Sequence, residues 1–336
     1  MRSMCRRLTD RGTGAQGHKG MKVLAEPVTG NRQPATILTS NKRMNPKEIL
    51  QDLKPTKGFF IGIDSDGCAF DTMEIKQKEC FCPNFIKHWG FQPVSKVTRE
   101  AWEFVNLYSK HRGYNRFLTA VETMRLVAER KEVKARHFKM PDYSSLEAWT
   151  QKETRLSNPV LAAYAAEVND PEINRALAWS KEVNADIADM IYGIPPFPFV
   201  RESLIRLQDV ADMIVVSQTP VEALEREWEE HGIACYVKVI AGQEYGTKTE
   251  HLKYAAKGKY PDDHILMIGD APGDYKAAKS NGVPFYPINP GGEEESWERF
   301  FNEGIDKFLT LNYIGEYQDK LIREFESLLP DQPHWK

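Results

Sequence analysis

The run Gly58-Phe59-Phe60-Ile61-Gly62-Ile63 stops at Asp64-Ser65-Asp66-Gly67, and this junction constrains the chain more than any other. Its apolar half is bounded by glycine and reads as a buried strand. Asp is disfavoured in strands, and two carboxylates two residues apart raise each other's pKa. A strand end tolerates such a pair where a cation sits between the carboxylates or where the pair handles protons. Further strand-like runs follow at 211–217, 236–241, 264–269 and 282–286, interleaved with helical stretches at 220–230, 249–256 and 274–281. Strands alternating with helices of about ten residues build βαβ units. The fold class is therefore α/β: a Rossmann-like three-layer core with a parallel sheet, plus an inserted α-helical cap domain.

The insertion follows from the roughly 150 residues between the first strand and the second, which differ in character. Residues 98–192 carry a helical pattern with few β-branched clusters. Trp102, Val105 and Tyr108 share one face of 101–108. Phe117, Val121, Met124 and Val127 or Ala128 share one face of 116–130, and 161–168 and 173–191 continue the theme. The expected division is a core of 45–76 and 195–336 with a helical unit at 77–194. One connection lies near 72–79 and the other in the proline-rich 193–198, a semi-rigid composition. Helices at 296–301 and 317–329 are expected to pack on the sheet. Residues 1–44 are basic, with only Asp10 and Glu26 acidic, and read as a disordered tail.

The chain has 336 residues, 41% hydrophobic and 28% charged, with net charge −3. No global field argues for nucleic acid, and no apolar run approaches the roughly 18 residues of a membrane span. The cysteines Cys5, Cys68, Cys80, Cys82 and Cys235 are scattered. With no secretory signal they read as reduced thiols of a cytoplasmic protein, and Cys80 and Cys82 lack a second pair at metal-ligand spacing. A monomer or homodimer is expected.

Four segments carry candidate chemistry. Asp64-x-Asp66-Gly67 reads as an acid–base or metal pair, or as a plain turn. Met213-Ile214-Val215-Val216-Ser217-Gln218-Thr219-Pro220 ends a strand in a hydroxyl before a helix, an anion site or an N-cap. In Gly246-Thr247-Lys248-Thr249 a lysine near a helix start opposes the helix dipole, which hints at an anionic partner. His264-Ile265-Leu266-Met267-Ile268-Gly269-Asp270 ends a strand in a carboxylate suited to Mg²⁺, and Asp274, four residues on, reads as ligand support or as an N-cap. In a doubly wound sheet ligands bind beyond the carboxyl ends of the strands, so these segments would converge.

In this order the segments resemble the haloacid dehalogenase-like hydrolase superfamily, across about 58–76 and 195–290. The matching positions are Asp64-x-Asp66-Gly67-x-x-x-Asp71-Thr72, then Ser217, Lys248 and Gly269-Asp270-x-x-x-Asp274. A helical insertion after the first segment is similar to the cap of its phosphoglycolate phosphatase and β-phosphoglucomutase branch, though larger. Cys68, Ala69 and Gln218 depart from the usual pattern.

The resemblance implies Asp64 as nucleophile and Asp66 as general acid and base, with the close carboxylate pair holding a proton on Asp66 near neutral pH. It implies Mg²⁺ on Asp64, Asp270 and the main-chain carbonyl of Asp66, with Asp274 in support. Ser217, the Gln218 backbone N–H and Lys248 would bind phosphate. Asp66 implies transfer from an oxygen ester rather than carbon-halogen or phosphonate chemistry. The substrate would be a small phosphorylated metabolite, and the enzyme a phosphatase. A phosphotransferase or phosphomutase, or a non-catalytic phosphate-binding protein, are the other readings. Candidate cap contacts are Arg112, Tyr114, Asn115 and Arg116, with His88-Trp89 beyond them.

Overall fold

The computed structural model describes residues 45–336; the basic tail read at 1–44 lies outside the described residues. Among the described residues five strands form one parallel sheet: β1 (Phe59–Ile63), β2 (Ala211–Val216), β3 (Val239–Ala241), β4 (Ile265–Gly269) and β5 (Phe285–Pro287), in the order β3-β2-β1-β4-β5. β1 is central, with Phe60 in register with both Asp212 and Ile265. Both faces are covered, as a parallel sheet requires. Ile61, Ile63, Met213, Val215, Leu266 and Ile268 point into one apolar layer. Phe60, Ile214, Val216, Ile265 and Met267 point into the other.

Two edge strands are shorter than the sequence suggests. A 3-10 turn at Ala234–Tyr236 delays β3. Gly282, left-handed at φ 63°, ends the helix Pro272–Asn281, and Pro284 then holds back β5.

Between β1 and β2 the chain runs through helices that include Cys82–Trp89, Ser95–Leu107, Arg116–Glu129 and Pro171–Met190. Their apolar faces meet in a separate core, where the buried Phe85, Trp89, Trp102, Phe117, Trp149 and Trp179 pack mostly edge-on or tilted. These helices between β1 and β2 form the helical unit. Its exit and return lie side by side, since Phe197 N–H donates to Ala69 O at 3.0 Å.

The segment expected as a connection at 72–79 is helical instead. Thr72–Ile75 passes into a π-helical turn, Lys76–Phe81. Nothing between Asp71 and Cys82 breaks a helix, and the π turn carries the chain without interruption into Cys82–Trp89. Near the C-terminus, Glu293–Arg299 and Ile305–Leu309 are joined by a second π turn, and Glu316–Ser327 follows. Among the described residues no helix is long and apolar enough to cross a membrane.

Candidate active site

Asp64 begins where β1 ends, with its N–H donating to Ile268 O at 3.0 Å. The next residues fold into a tight loop: Cys68, Ala69 and Phe70 all donate to Ser65 O. Gly67 sits at φ +76°, and a Cβ there would lie 2.8 Å from both Arg112 Nη2 and Asp270 Oδ2. Asp270 follows β4. Gly269 lets Asp274 approach, because a Cβ on Gly269 would fall 2.4 Å from the Asp274 Cβ. Asp64, Asp270 and Asp274 thus converge from two adjacent strand ends, each offering an oxygen within 4.8 Å of the others.

Lys248 opens the helix Lys248–Ala255 behind a Thr247–Glu250 capping box. Its Nζ lies 2.7 Å from Asp64 Oδ2 and 2.7 Å from Asp274 Oδ1. The anionic partners suggested by its place at a helix start are therefore, in this structure, these carboxylates. Burial works against the charge of Lys248, yet Asp274, Asp64 and Asp270 hold its proton and raise its pKa. Burial lifts Asp64 and Asp274 to about 7 each, against the pull of Lys248. Burial also raises Asp270, against the pull of Arg112.

The donor set suits a hard divalent cation. The three side chains offer only carboxylate oxygens, and Asp270 Oδ1 is buried with no hydrogen-bond partner among the described residues. Such an orphaned acceptor is costly unless something cationic meets it.

Asp66 is surrounded differently. Lys76 Nζ reaches its Oδ1 at 2.7 Å, Thr72 Oγ1 donates to the same oxygen at 2.5 Å, and Thr219 Oγ1 donates to Oδ2 at 2.7 Å. Burial would raise Asp66, but Lys76 and the hydroxyls outweigh it and its pKa is lowered. This corrects the expectation that Asp66 holds the shared proton. It rests as a carboxylate, and Asp64 is the member of the pair pushed towards neutrality. The reason is Lys76, which the π turn begins and which sequence spacing did not connect to Asp66. Behind the pair, Ser65 Oγ donates to Glu227 at 2.9 Å and accepts from Trp228 Nε1 at 3.0 Å. Burial, and then the nearby Asp66, lift Glu227 to about 7.

Ser217 follows β2 and is buried, and its Oγ accepts from Thr219 N–H at 3.2 Å. Neither it nor Thr219 caps the helix Val221–Glu230 with a side-chain bond. The Gln218 backbone N–H has no partner among the described residues, while its side chain donates to Gly246 O at 2.9 Å. A small pocket opens beside Asp66 and Thr219, lined also by Lys76, Tyr192, Arg226 and Glu227.

Of the cap candidates, Arg112 alone reaches these loops. Its Nε and Nη2 both lie 2.7 Å from Asp270 Oδ2. Tyr114 is 50% exposed and packs edge-on against His111. Asn115 caps the helix Arg116–Glu129 and donates to Leu156 O. Arg116 bonds Ser180 and Asn184 and lies over the Phe81 ring, inside the helical unit. His88 pairs with Glu182, and Trp89 is core. Cys80 and Cys82 are buried free thiols.

The sequence profile of the haloacid dehalogenase-like hydrolases matches residues 119–288, half of the chain, and the chain belongs to that family. No curated protein matches the chain. Among solved structures it is similar to a haloacid dehalogenase-like family hydrolase from Xanthomonas campestris, at 12% identity over 78% of this chain and 98% of that one, TM-score 0.42. A predicted phosphoglycolate phosphatase from Haemophilus somnus is 15% identical over 70% and 88%, TM-score 0.41. A structure from Bacillus subtilis described as a HAD-hydrolase, bound to magnesium, is 12% identical over 74% and 100%, TM-score 0.39.

Proposed function

We propose that this hydrolase is a Mg²⁺-dependent phosphatase, which cleaves the phosphomonoester of a small metabolite through an aspartyl-phosphate on Asp64. The observation that carries the reading is the convergence of Asp64, Asp270 and Asp274 to within 4.8 Å, with an unsatisfied Asp270 oxygen among them.

Asp64 attacks phosphorus in line, forming the carboxylate O–P bond as the ester P–O bond breaks. Asp66, once it has taken up a proton from solvent as substrate binds, gives that proton to the leaving oxygen and later takes one back from the water that hydrolyses the acyl phosphate. Lys76, Thr72 and Thr219 fix the Asp66 carboxyl group, and its resting carboxylate is the form that accepts the water's proton. The Ser217 hydroxyl, the Gln218 N–H and Lys248 are the donors for the phosphate oxygens. Mg²⁺ held by Asp64, Asp270 and the Asp66 carbonyl, with Asp274 in support, would offset the repulsion between a carboxylate and a phosphate. The helical unit over the loops keeps bulk water from the reacting atoms.

A phosphate-release screen over sugar phosphates, nucleotides and short phosphorylated acids with Mg²⁺ tests this. Asp64→Asn should lose at least about four orders of magnitude in rate, on the order of 6 kcal/mol. Undiminished turnover by that variant would sink the mechanism. Transfer of the phosphoryl group to a second hydroxyl without free phosphate would favour the phosphotransferase.

A further inference from the structure

Arg112 belongs to the turn between the helices Ser95–Leu107 and Arg116–Glu129, part of the helical unit, yet its side chain ends beside a carboxylate of the α/β core. The residue is only 3% exposed. Two guanidinium nitrogens, Nε and Nη2, converge on one oxygen, Asp270 Oδ2, at 2.7 Å each. Nη1 donates to Leu107 O at 3.0 Å, which anchors the fork to its own helix end, and Glu293 stands 3.8 Å from Nη2. The turn is seated closely. A Cβ on Gly113 would lie 3.1 Å from the Ala271 Cβ, and Gly67 has no Cβ to obstruct Arg112 Nη2. The other Asp270 oxygen, Oδ1, is the orphaned buried acceptor of the site.

We propose that Arg112 is a positioning residue that clamps Asp270 from the helical unit and so couples the seating of that unit to metal binding. The inference rests on the metal reading given above. Occupying Oδ2 leaves Asp270 one oxygen to offer and fixes its direction. A partner behind a metal-binding carboxylate changes metal affinity by about 10–100-fold in well-studied sites. Because the partner comes from a separate core, the link runs both ways: seating the 108–115 turn pre-orients Asp270, and a cation on Asp270 holds the turn down by the same factor. Arg suits the task better than Lys, since a planar fork reaches Asp270 and Leu107 O together.

Titration calorimetry of Mg²⁺ into the EDTA-stripped full chain tests this, with hydrogen exchange followed at the Arg112 and Tyr114 amides, which close the turn onto Ser109 O and His111 O. Wild type should bind Mg²⁺ and show slower exchange at both amides when loaded. Arg112→Ala should bind at least about tenfold more weakly and lose the metal-dependent slowing. Arg112→Lys, which keeps the charge where the alanine variant fails to fold, should also weaken binding. Variants that bind as tightly as wild type or tighter, or exchange at 108–115 that ignores Mg²⁺ in wild type, would overturn the clamp and leave the metal site standing. A wild type that takes up no Mg²⁺ would remove the metal reading itself, and the clamp with it.

Discussion

Burial of Asp64 and Asp274 has a measurable consequence for the metal-free protein. Each carboxyl moves from an ordinary 3.8 to about 7. The folded chain therefore binds these protons more tightly than the unfolded chain. Their contribution is complete below about pH 4 and is lost as pH rises through 7. About two units of that change remain above pH 5, or roughly 2.7 kcal/mol per carboxyl at 1.4 kcal/mol per unit. The two share Lys248 and repel each other, so roughly half the sum, about 3 kcal/mol, is expected for the pair. Glu227, lifted to about 7, acts in the same direction, and His251, lowered to about 4 by burial, acts against it because near pH 5 only the unfolded chain takes up its proton, so these two largely offset. Asp66 and Asp212 are lowered, so the stability they add is lost only under more acidic conditions. At about 2 °C per kcal/mol for a chain of this size, the melting temperature in EDTA should fall by roughly 6 °C between pH 5 and pH 8. Scanning calorimetry at constant ionic strength measures it, and Asp274→Asn should reduce the fall. Mg²⁺ at a hundredfold its Kd at pH 5 should add about 2.7 kcal/mol there, and the same concentration should add more at pH 8, where protons no longer compete. A melting temperature that stays flat or climbs from pH 5 to pH 8 in EDTA would refute the reasoning.

Lys76→Met removes the cation 2.7 Å from Asp66 and should raise the pKa of Asp66 by about 1–3 units. The limb of the kcat/KM profile that titrates with Asp66 should move up in pH by that amount, and a superimposable profile would separate Lys76 from the chemistry. Gly269→Ala places a methyl within 2.4 Å of Asp274 and should cost about 1–3 kcal/mol in urea unfolding. It should also weaken Mg²⁺ binding by displacing Asp274; no change in either measurement would mean that the two segments part at no cost.

What the sequence disclosed divides along a physical line. Asp64, Ser217 and Asp270 each follow an apolar run, and a parallel sheet brings strand ends together whatever lies between them, so their convergence was legible. Lys248 was legible as a mild violation of helix electrostatics. Lys76 was not, because its side chain reaches Asp66 only through a π turn that leaves no mark in the pattern. Thr72 stood within the recognised segment, but its bond to Asp66 depends on the loop 65–70 closing as it does. Arg112 stood among the candidates only for lying in a polar stretch between helices. Which of Arg112, Tyr114, Asn115 and Arg116 faces the core depends on how the helical unit packs, and periodicity within a helix carries no information about that. Arg116 shows the other outcome, with its charge spent on Ser180, Asn184 and the Phe81 ring.

Charge explains why these particular groups belong together. Above about pH 7, where all four are ionised, Asp64, Asp66, Asp270 and Asp274 stand against Lys76, Lys248 and Arg112, so one unit of negative charge is left among these seven groups, where a phosphate is proposed to bind. Each cation is already committed. Lys76 serves Asp66, Lys248 spans Asp64 and Asp274, and Arg112 holds one oxygen of Asp270. Both Asp64 oxygens are occupied as well, Oδ1 by the Ser65 N–H at 2.8 Å and Oδ2 by Lys248. The uncompensated charge has a location, the unpartnered Asp270 Oδ1. A monovalent cation there would only neutralise the cluster, which gives a phosphate dianion no reason to enter. A divalent one leaves it positive by one unit, and the attraction between opposite charges near a protein surface, about 4 kcal/mol at 4 Å, then favours entry. On the proposed reading, the same imbalance that destabilises the empty fold above neutral pH is what selects a divalent ion and makes phosphate binding conditional on it.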